Sequence, residues 1–492
     1  MTINSPAPLR LFERVRLVMI QPKNFAYSHA FDETMELFEL ALSALGSQVD
    51  RGLNNLLDGE GINFIFGAHL LRPDVILPQN SIIVNLEQVL ATKAIYPHYI
   101  EFLKRHPVLD YSPRNAERIR QLTGNPHVYL FKMGAMPQVA RIKSAPQQDI
   151  DVLFYGVIND RRQKILHGLI DAGLTIKTLF GTYGKERDDW IARSKIVLNV
   201  HCYGDRIHEL ARTSYLMANS KAVVSECAPD TEIDEDVRAA LVSVPYEKVV
   251  ETCVTLVHDD AQRHSAEKRA FEIFTRRNQA MLLAQILPAL IKPLPRKLNL
   301  GSGKAYDPAY LNIDIDPRWR PDILCDISAP TALNRIFFSS KYGLMRLEQG
   351  QFDEIKAHDV LEHVPNLTGL MTRCLELLRP GGLMRILVPF DLSWGAWQDP
   401  THIRAFNERS WLYYTDWHWY LGWNNARFTL VELTLLFSPI GEDLAQRGVN
   451  DEEIFRTPRA VDSMRVVLAK RLLSEEEKQR ALDYQHPTLE NR

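Results

Sequence analysis

Residues able to do chemistry are densest between Lys297 and His402. The apolar run Lys297-Leu-Asn-Leu300 enters the turn Gly301-Ser302-Gly303. A second run, Leu311-Asn-Ile-Asp314, ends on a carboxylate, and a third, Ile323-Leu-Cys-Asp326, ends on another. Glycines at such a turn let a ligand approach backbone amides at a helix start. Asp314 is placed to accept hydrogen bonds from two ribose hydroxyls, and Asp326 falls where an adenine edge would lie. Either carboxylate alone reads equally well as a cap or turn residue; their order and spacing favour a nucleoside pocket. His358 and Asp359 end a fourth run, Phe352–His358, and would line the same pocket. Glu362 and His363 come next, with a helix start as their equal alternative. A fifth run, Gly382–Pro389, leads into a loop carrying Trp394, Trp397 and Asp399-Pro-Thr-His402. Ligands of open α/β sheets sit at the carboxyl ends of the strands, so this loop faces the reactive end of the nucleoside. His402 is the candidate general base for a hydroxyl acceptor, a task that suits a neutral imidazole. Its alternative is a histidine bonded to loop backbone. The aromatic stretch Trp411–Trp423 suits a sugar or lipid acceptor, or a lid packed on the sheet. A dinucleotide pocket would need a third glycine where Tyr306 stands.

A second set lies upstream. Gly156 opens a turn after Asp151-Val-Leu-Phe-Tyr155, and Arg161 and Arg162 follow at a helix start. Amides and guanidinium groups there can meet a diphosphate. Lys195 and Arg212 are further cations for it, and Glu209 can hold a ribose. A solvated helix face is the alternative for the arginine pair. Near the amino end, Tyr27, His29 and Glu33 follow the first apolar run, with His29 as a candidate base. His69, Asn85 and Glu87 also follow such runs.

These residues require strands that end at a common edge. Runs at 15–20, 62–66, 81–85, 108–112 and 128–131 alternate with helical stretches, among them His29 to Leu45, which Gly46 stops. A linker at 140–148 precedes a second alternation, with runs at 151–156, 175–181, 196–200, 222–225 and 241–244 and two closing helices over 249–285. Pro288, Pro293 and Pro295 mark a second linker. The expected organisation is α/β, with two Rossmann-like halves (1–145 and 146–292), a third Rossmann-like domain (296–472) and a charged tail (473–492).

The third domain resembles the class I S-adenosylmethionine-dependent methyltransferases of the small-molecule kind. The residues are LNLGSG at 298–303, NIDID at 312–316, DILCDI at 322–327, HDVLEHV at 358–364 and LRPGGLMRILVP at 378–389. The resemblance implies a seven-stranded sheet whose last strand is antiparallel. It also implies S-adenosyl-L-methionine held by Gly301, Ser302, Gly303, Asp314, Asp326, His358 and Asp359. The first two halves resemble a GT-B glycosyltransferase of the CgeB-like, group-1-like kind. The residues are DVLFYGVINDRR at 151–162, LFGTYGKERD at 179–188, SKIVLNVH at 194–201 and HELARTSYLMANSKAVVSE at 208–226. That resemblance implies a nucleotide-sugar donor near Gly156, Arg161, Arg162, Lys195, Glu209 and Arg212, with His29 on the acceptor side. Tyr215 stands where the family has Glu and Ser220 where it has Gly, so Glu209 or Glu226 would take over the ribose. Bifunctional sugar and methyl transfer in bacterial glycan synthesis is the first expectation. A methyltransferase with an inactive GT-B-like binding module is the second, and a nucleic-acid or protein methyltransferase the third.

Bulk composition restricts the partners. The 492 residues are 46% hydrophobic and 24% charged, with a formal net charge of -3. Basic and acidic residues are interspersed, which argues against nucleic acid. The five scattered cysteines include no Cys-x-x-Cys, so a reducing, cytoplasmic setting is expected, with no disulfide frame and no metal. No apolar run is long enough to span a bilayer, which leaves attachment to a membrane surface open. A small molecule or glycan is the expected acceptor.

Overall fold

The structure is a computed structural model that describes residues 12–89, 97–202, 207–333 and 335–485. It divides into two compact units, Met1–Lys292 and Pro293–Arg492.

The first unit holds two parallel sheets. One contains β1 (Arg14–Met19), β2 (Gln48–Leu53), β3 (Ile62–Phe66), β4 (Ser81–Asn85), β5 (Val108–Asp110) and β6 (Val128–Leu130), in the order β2-β1-β3-β4-β5-β6. The other contains β7 (Ile150–Tyr155), β8 (Ile176–Leu179), β9 (Ser194–Asn199), β10 (Ala222–Glu226) and β11 (Val242–Val244), in the order β11-β10-β9-β7-β8. β3 and β4 are buried along their whole length, as strands covered on both faces must be. Strand order reverses beside β1 in one sheet and beside β7 in the other, which opens a crevice at each carboxyl edge.

β2 departs from the expected pattern. Its sequence, Gln-Val-Asp-Arg-Gly-Leu, is polar because it forms an edge with no face to bury. Arg16 of β1 reaches across to Asp50 through two hydrogen bonds of 2.7 Å. The closing segment also differs, forming three helices instead of two: Val249–His258, Asp260–Phe274 and Gln279–Ile286. Asp259 and Asn278 cap the second and third, accepting from the amides of Gln262 and Met281. The third helix returns to pack on Asp32–Ala44, the first long helix of the unit. Arg277, just before it, pairs with Asp234 and Asp236 at 2.7 Å each.

Two buried imidazoles make this unit acid-sensitive. Burial pushes His106 down to about 4 and His208 to about 3. Both are neutral when folded and take up a proton on unfolding below the ordinary histidine value. Their contribution is therefore complete above about pH 6.5 and is lost as pH falls toward 4. Urea unfolding at pH 5 should show about 1–2 kcal/mol less stability per imidazole than at pH 7.5. His106→Gln should remove its share of that slope; a slope unchanged in the variant would remove His106 from the account.

The second unit is built on one sheet of seven strands. These are β12 (Lys297–Leu300), β13 (Leu311–Asp314), β14 (Ile323–Leu324), β17 (Phe352–His358), β18 (Leu378–Pro389), β19 (Ala426–Phe437) and β20 (Val461–Leu472). A separate hairpin pairs β15 (Ile336–Ser339) with β16 (Gly343–Arg346). The order is β14-β13-β12-β17-β18-β20-β19, and β20 runs antiparallel to both of its neighbours. The last strand is thus antiparallel, as the resemblance implied. The charged tail is helical over Glu475–Gln485. Tyr484 stacks on Trp419 with ring centroids 4.4 Å apart.

Candidate functional sites

In the first unit the carboxyl ends of both sheets line one cleft of about 590 Å³, a size typical of ligand pockets. Tyr27, Glu33, Glu87 and Tyr111 line it from the first half. Tyr155, Gly156, Phe180, Tyr183, Arg162, Arg187, Glu209, Arg212 and Tyr215 line it from the second. Gly156 has φ 130°, and a side chain there would meet Nη2 of Arg212 at 2.9 Å. The glycine therefore makes room for this arginine at the cleft wall.

The expected cations separate into those that reach the cleft and those that do not. Arg212 does, held by Glu209 at 2.9 Å. Arg162 also lines it but is a scaffold: its side chain is 3% exposed and donates to the carbonyls of Val157 and Val200 and to Glu209 at 2.7 Å. Arg161 is taken up elsewhere, bound through both nitrogens to Glu226 and lying over the Tyr246 ring at 4.1 Å. Lys195 lies near the amino end of β9 and pairs with Asp151 at 2.8 Å, away from the ligand edge. These placements correct the diphosphate assignment of Arg161 and Lys195. His29 is beside the cleft, not among the residues lining it, and its Nδ1 lies 2.9 Å from Asp32. Glu226 is engaged by Arg161, and Glu209, which lines the cleft, by Arg162 and Arg212.

Arg187 escaped the sequence reading although it lies in the quoted run 179–188. The loop Gly181-Thr-Tyr-Gly184 after β8 starts a helix at the cleft and sets Arg187 on its first turn. Its side chain is 5% exposed and donates to Glu33 at 2.7 Å and to Asp188 at 2.8 Å, while its Nε has no partner. Burial works against its charge, yet the hydrogen bond to Glu33 carries its pKa above the ordinary arginine value. Tyr215 donates to Asp188 at 2.7 Å and lies under Arg187 at 4.9 Å, so it belongs to this network. Ser220 has φ 54°, the left-handed conformation that a glycine would adopt without strain. The cleft lining holds three arginines against three glutamates.

In the second unit Gly301 and Gly303 have φ 59° and 45°. A side chain on Gly301 would stand 2.6 Å from Cγ2 of Val360. The turn is thereby held against the residues that follow β17. Ser302 donates its amide to Ile313 at 3.1 Å, and its hydroxyl is buried without a partner. Asp314, 9% exposed, accepts from the amides of Gly303 and Asp316 at 2.8 Å each. The acidic strand end and the glycine turn thus form one cradle, with lone pairs left on both carboxylate oxygens. Asp326 is exposed and accepts from the amide of Ser328 at 2.9 Å, so it organises a turn at the adjacent strand end. Asp359 has φ 54°, a costly conformation for a residue other than glycine, at the carboxyl end of β17. Burial lowers the pKa of His358 beside it.

Glu362 and His363, on the turn Leu361–His363 after β17, meet His402 from the loop after β18, and one ligating atom of each lies within 4.8 Å of the others. Burial pushes Glu362 up to about 7. The loops after β17 and β18 are tied by a 3.0 Å hydrogen bond from the Ile403 amide to the Glu362 carbonyl. The aromatic stretch divides between core and surface. Trp411, Tyr414 and Trp423 are buried in the core, whereas Tyr413, Trp417 and Tyr420 are exposed.

Residues 275–433 match the methyltransferase domain family. The match stops before β20, although the sheet continues through it. No curated protein matches the chain. Among solved structures, Anabaena HepE in complex with UDP and glucose is 11% identical, with a TM-score of 0.38 over 57% of this chain and 99% of that one. AviGT4, a glycosyltransferase involved in avilamycin A biosynthesis, is 14% identical, with a TM-score of 0.36 over 56% and 98%. A SAM-dependent methyltransferase from Archaeoglobus fulgidus is 16% identical, with a TM-score of 0.23 over 39% and 95%. The neighbours thus include GT-B glycosyltransferases and S-adenosylmethionine-dependent methyltransferases. No helix among the described residues is long and apolar enough to cross a membrane.

Proposed function

We propose that the chain is a bifunctional transferase that moves a sugar from a nucleotide donor and a methyl group from S-adenosylmethionine, in the synthesis of a bacterial glycan or glycoconjugate. The observation that carries it is the Gly301–Gly303 turn bonded to Asp314 inside the segment matched as a methyltransferase domain. In this reading Asp314 holds the ribose and Asp326 lies beside the adenine. His358 and Asp359 line the pocket, and the acceptor hydroxyl gives up its proton at His402. Upstream, residues 1–145 receive the acceptor and 146–292 bind the donor. Arg187 and Arg212 meet the diphosphate, and Glu209 meets the ribose. Charge on the leaving diphosphate is what such cations stabilise.

The balance of arginines and glutamates around the cleft favours a second reading, in which the first unit binds a glycan or nucleotide sugar without turning it over. One experiment separates the two. Full-length protein is incubated with methyl-labelled S-adenosylmethionine, a panel of nucleotide sugars beginning with UDP-glucose, and glycan acceptors. Mass spectrometry then follows label transfer and nucleoside diphosphate release. Release that disappears in Arg212→Ala supports sugar transfer. Label transfer without release supports the second reading, and saturable binding of neither cosubstrate would defeat both.

A further inference from the structure

Glu362, His363 and His402 carry features that a lone general base does not need. Glu362 is 1% exposed, and neither of its carboxylate oxygens has a hydrogen-bond partner. A buried carboxylate without a donor is costly and calls for something positive to meet it. The two imidazoles are oriented from behind. Nδ1 of His363 lies 2.9 Å from Oγ1 of Thr401, and that hydroxyl donates onward to Asp399 at 2.7 Å. Its hydrogen is thus committed, so the ring nitrogen is the donor in the contact with His363. Nδ1 of His402 lies 3.2 Å from the carbonyl of Ala396, which can only accept. With both Nδ1 atoms protonated, each neutral ring offers its Nε2 lone pair. Outer acceptors that fix the tautomer in this way are the usual supports of metal-bound imidazoles.

The geometry points to a divalent transition-metal site formed by Glu362, His363 and His402. Two imidazoles and one carboxylate suit zinc, iron, cobalt, nickel or manganese better than magnesium or calcium, which prefer all-oxygen shells. Three protein ligands leave positions open, and both histidines are only partly buried. What the ion does rests on the methyl-transfer reading. An acceptor hydroxyl on an open position loses its proton to water as its pKa falls. Its oxygen pair then forms the C–O bond, and the C–S pair returns to sulfur as a thioether. With the ion bound, His402 acts through the metal it holds, in place of the base role that the ion-free reading gives it.

The test reads the ion directly, without methyl transfer. Untagged, metal-free full-length protein is titrated with Co²⁺ and followed by visible absorption. One equivalent should give saturable d–d bands. Glu362→Gln and His402→Asn should each weaken binding at least 10²-fold, and Thr401→Val, which removes the hydroxyl between His363 and Asp399, about 10–100-fold. Unchanged melting temperature and S-adenosylmethionine affinity identify folded variants. No bands in the wild type, or bands indifferent to both ligand substitutions, overturn the site. If Co²⁺ binds as expected but S-adenosylmethionine does not, the methyl-transfer reading fails while the metal site stands.

Discussion

Asp314→Ala should lower affinity for S-adenosylmethionine by about 10²–10³-fold. A carboxylate accepting from two ribose hydroxyls makes two charge-assisted hydrogen bonds, each worth about 1.5–3 kcal/mol. About 3–4 kcal/mol corresponds to two to three decades in Kd. The same side chain also anchors the amides of Gly303 and Asp316, so its loss loosens the turn that approaches the ligand. Asp314→Asn separates the two contributions, because the amide oxygen can still accept while the charge is gone; its loss should be closer to tenfold. Calorimetric titration of both variants measures these values, with thermal melts to show that the unit remains folded. A change below threefold in Asp314→Ala would remove Asp314 from the ribose site.

The sheet strands that read clearly in the sequence are those buried on both faces. β3 and β4 are nearly apolar runs because a covered parallel strand has few polar positions. The strands that escaped are edges and hairpins. β2 has one neighbour, β15 and β16 pair only with each other, and the alternation of β19 is broken by a bulge between Leu430 and Glu432. The glycine cradle was legible because its parts follow one another along the chain in the order of the strands. The charged groups were not, because sequence shows a charge but not its partner. Arg161 and Lys195 looked available and are consumed by Glu226 and Asp151. Arg187 is not singled out by its sequence context and is buried against Glu33, far away in sequence. Glu362 and His402 meet because β17 and β18 are neighbours, which only the register reveals.

Arg187→Met should destabilise the first unit by about 3–5 kcal/mol, the usual cost of removing one member of a buried ion pair. Glu33 belongs to the helix Asp32–Ala44 of one half and Arg187 to the helix Gly184–Arg193 of the other. Their contact joins the two walls of the cleft, and the side chains are 11% and 5% exposed. Without the guanidinium, Glu33 and Asp188 lose the cation they share, although Arg141 still stands 3.6 Å from Asp188. Arg187→Lys should recover part of the loss, since an ammonium supplies charge but not the fork that spans two carboxylates. The double variant Glu33→Gln/Arg187→Met removes both charges of the pair and should be more stable than Arg187→Met alone by more than about 1 kcal/mol, the non-additivity expected of contacting residues. Urea unfolding monitored by fluorescence reads these variants together with Glu33→Gln alone, which completes the cycle. Strict additivity, or a loss under about 1 kcal/mol in Arg187→Met, would mean that the pair does not hold the halves together. Arg187 would then be free for donor binding alone, and its substitution should change nucleotide-sugar affinity without changing the urea midpoint.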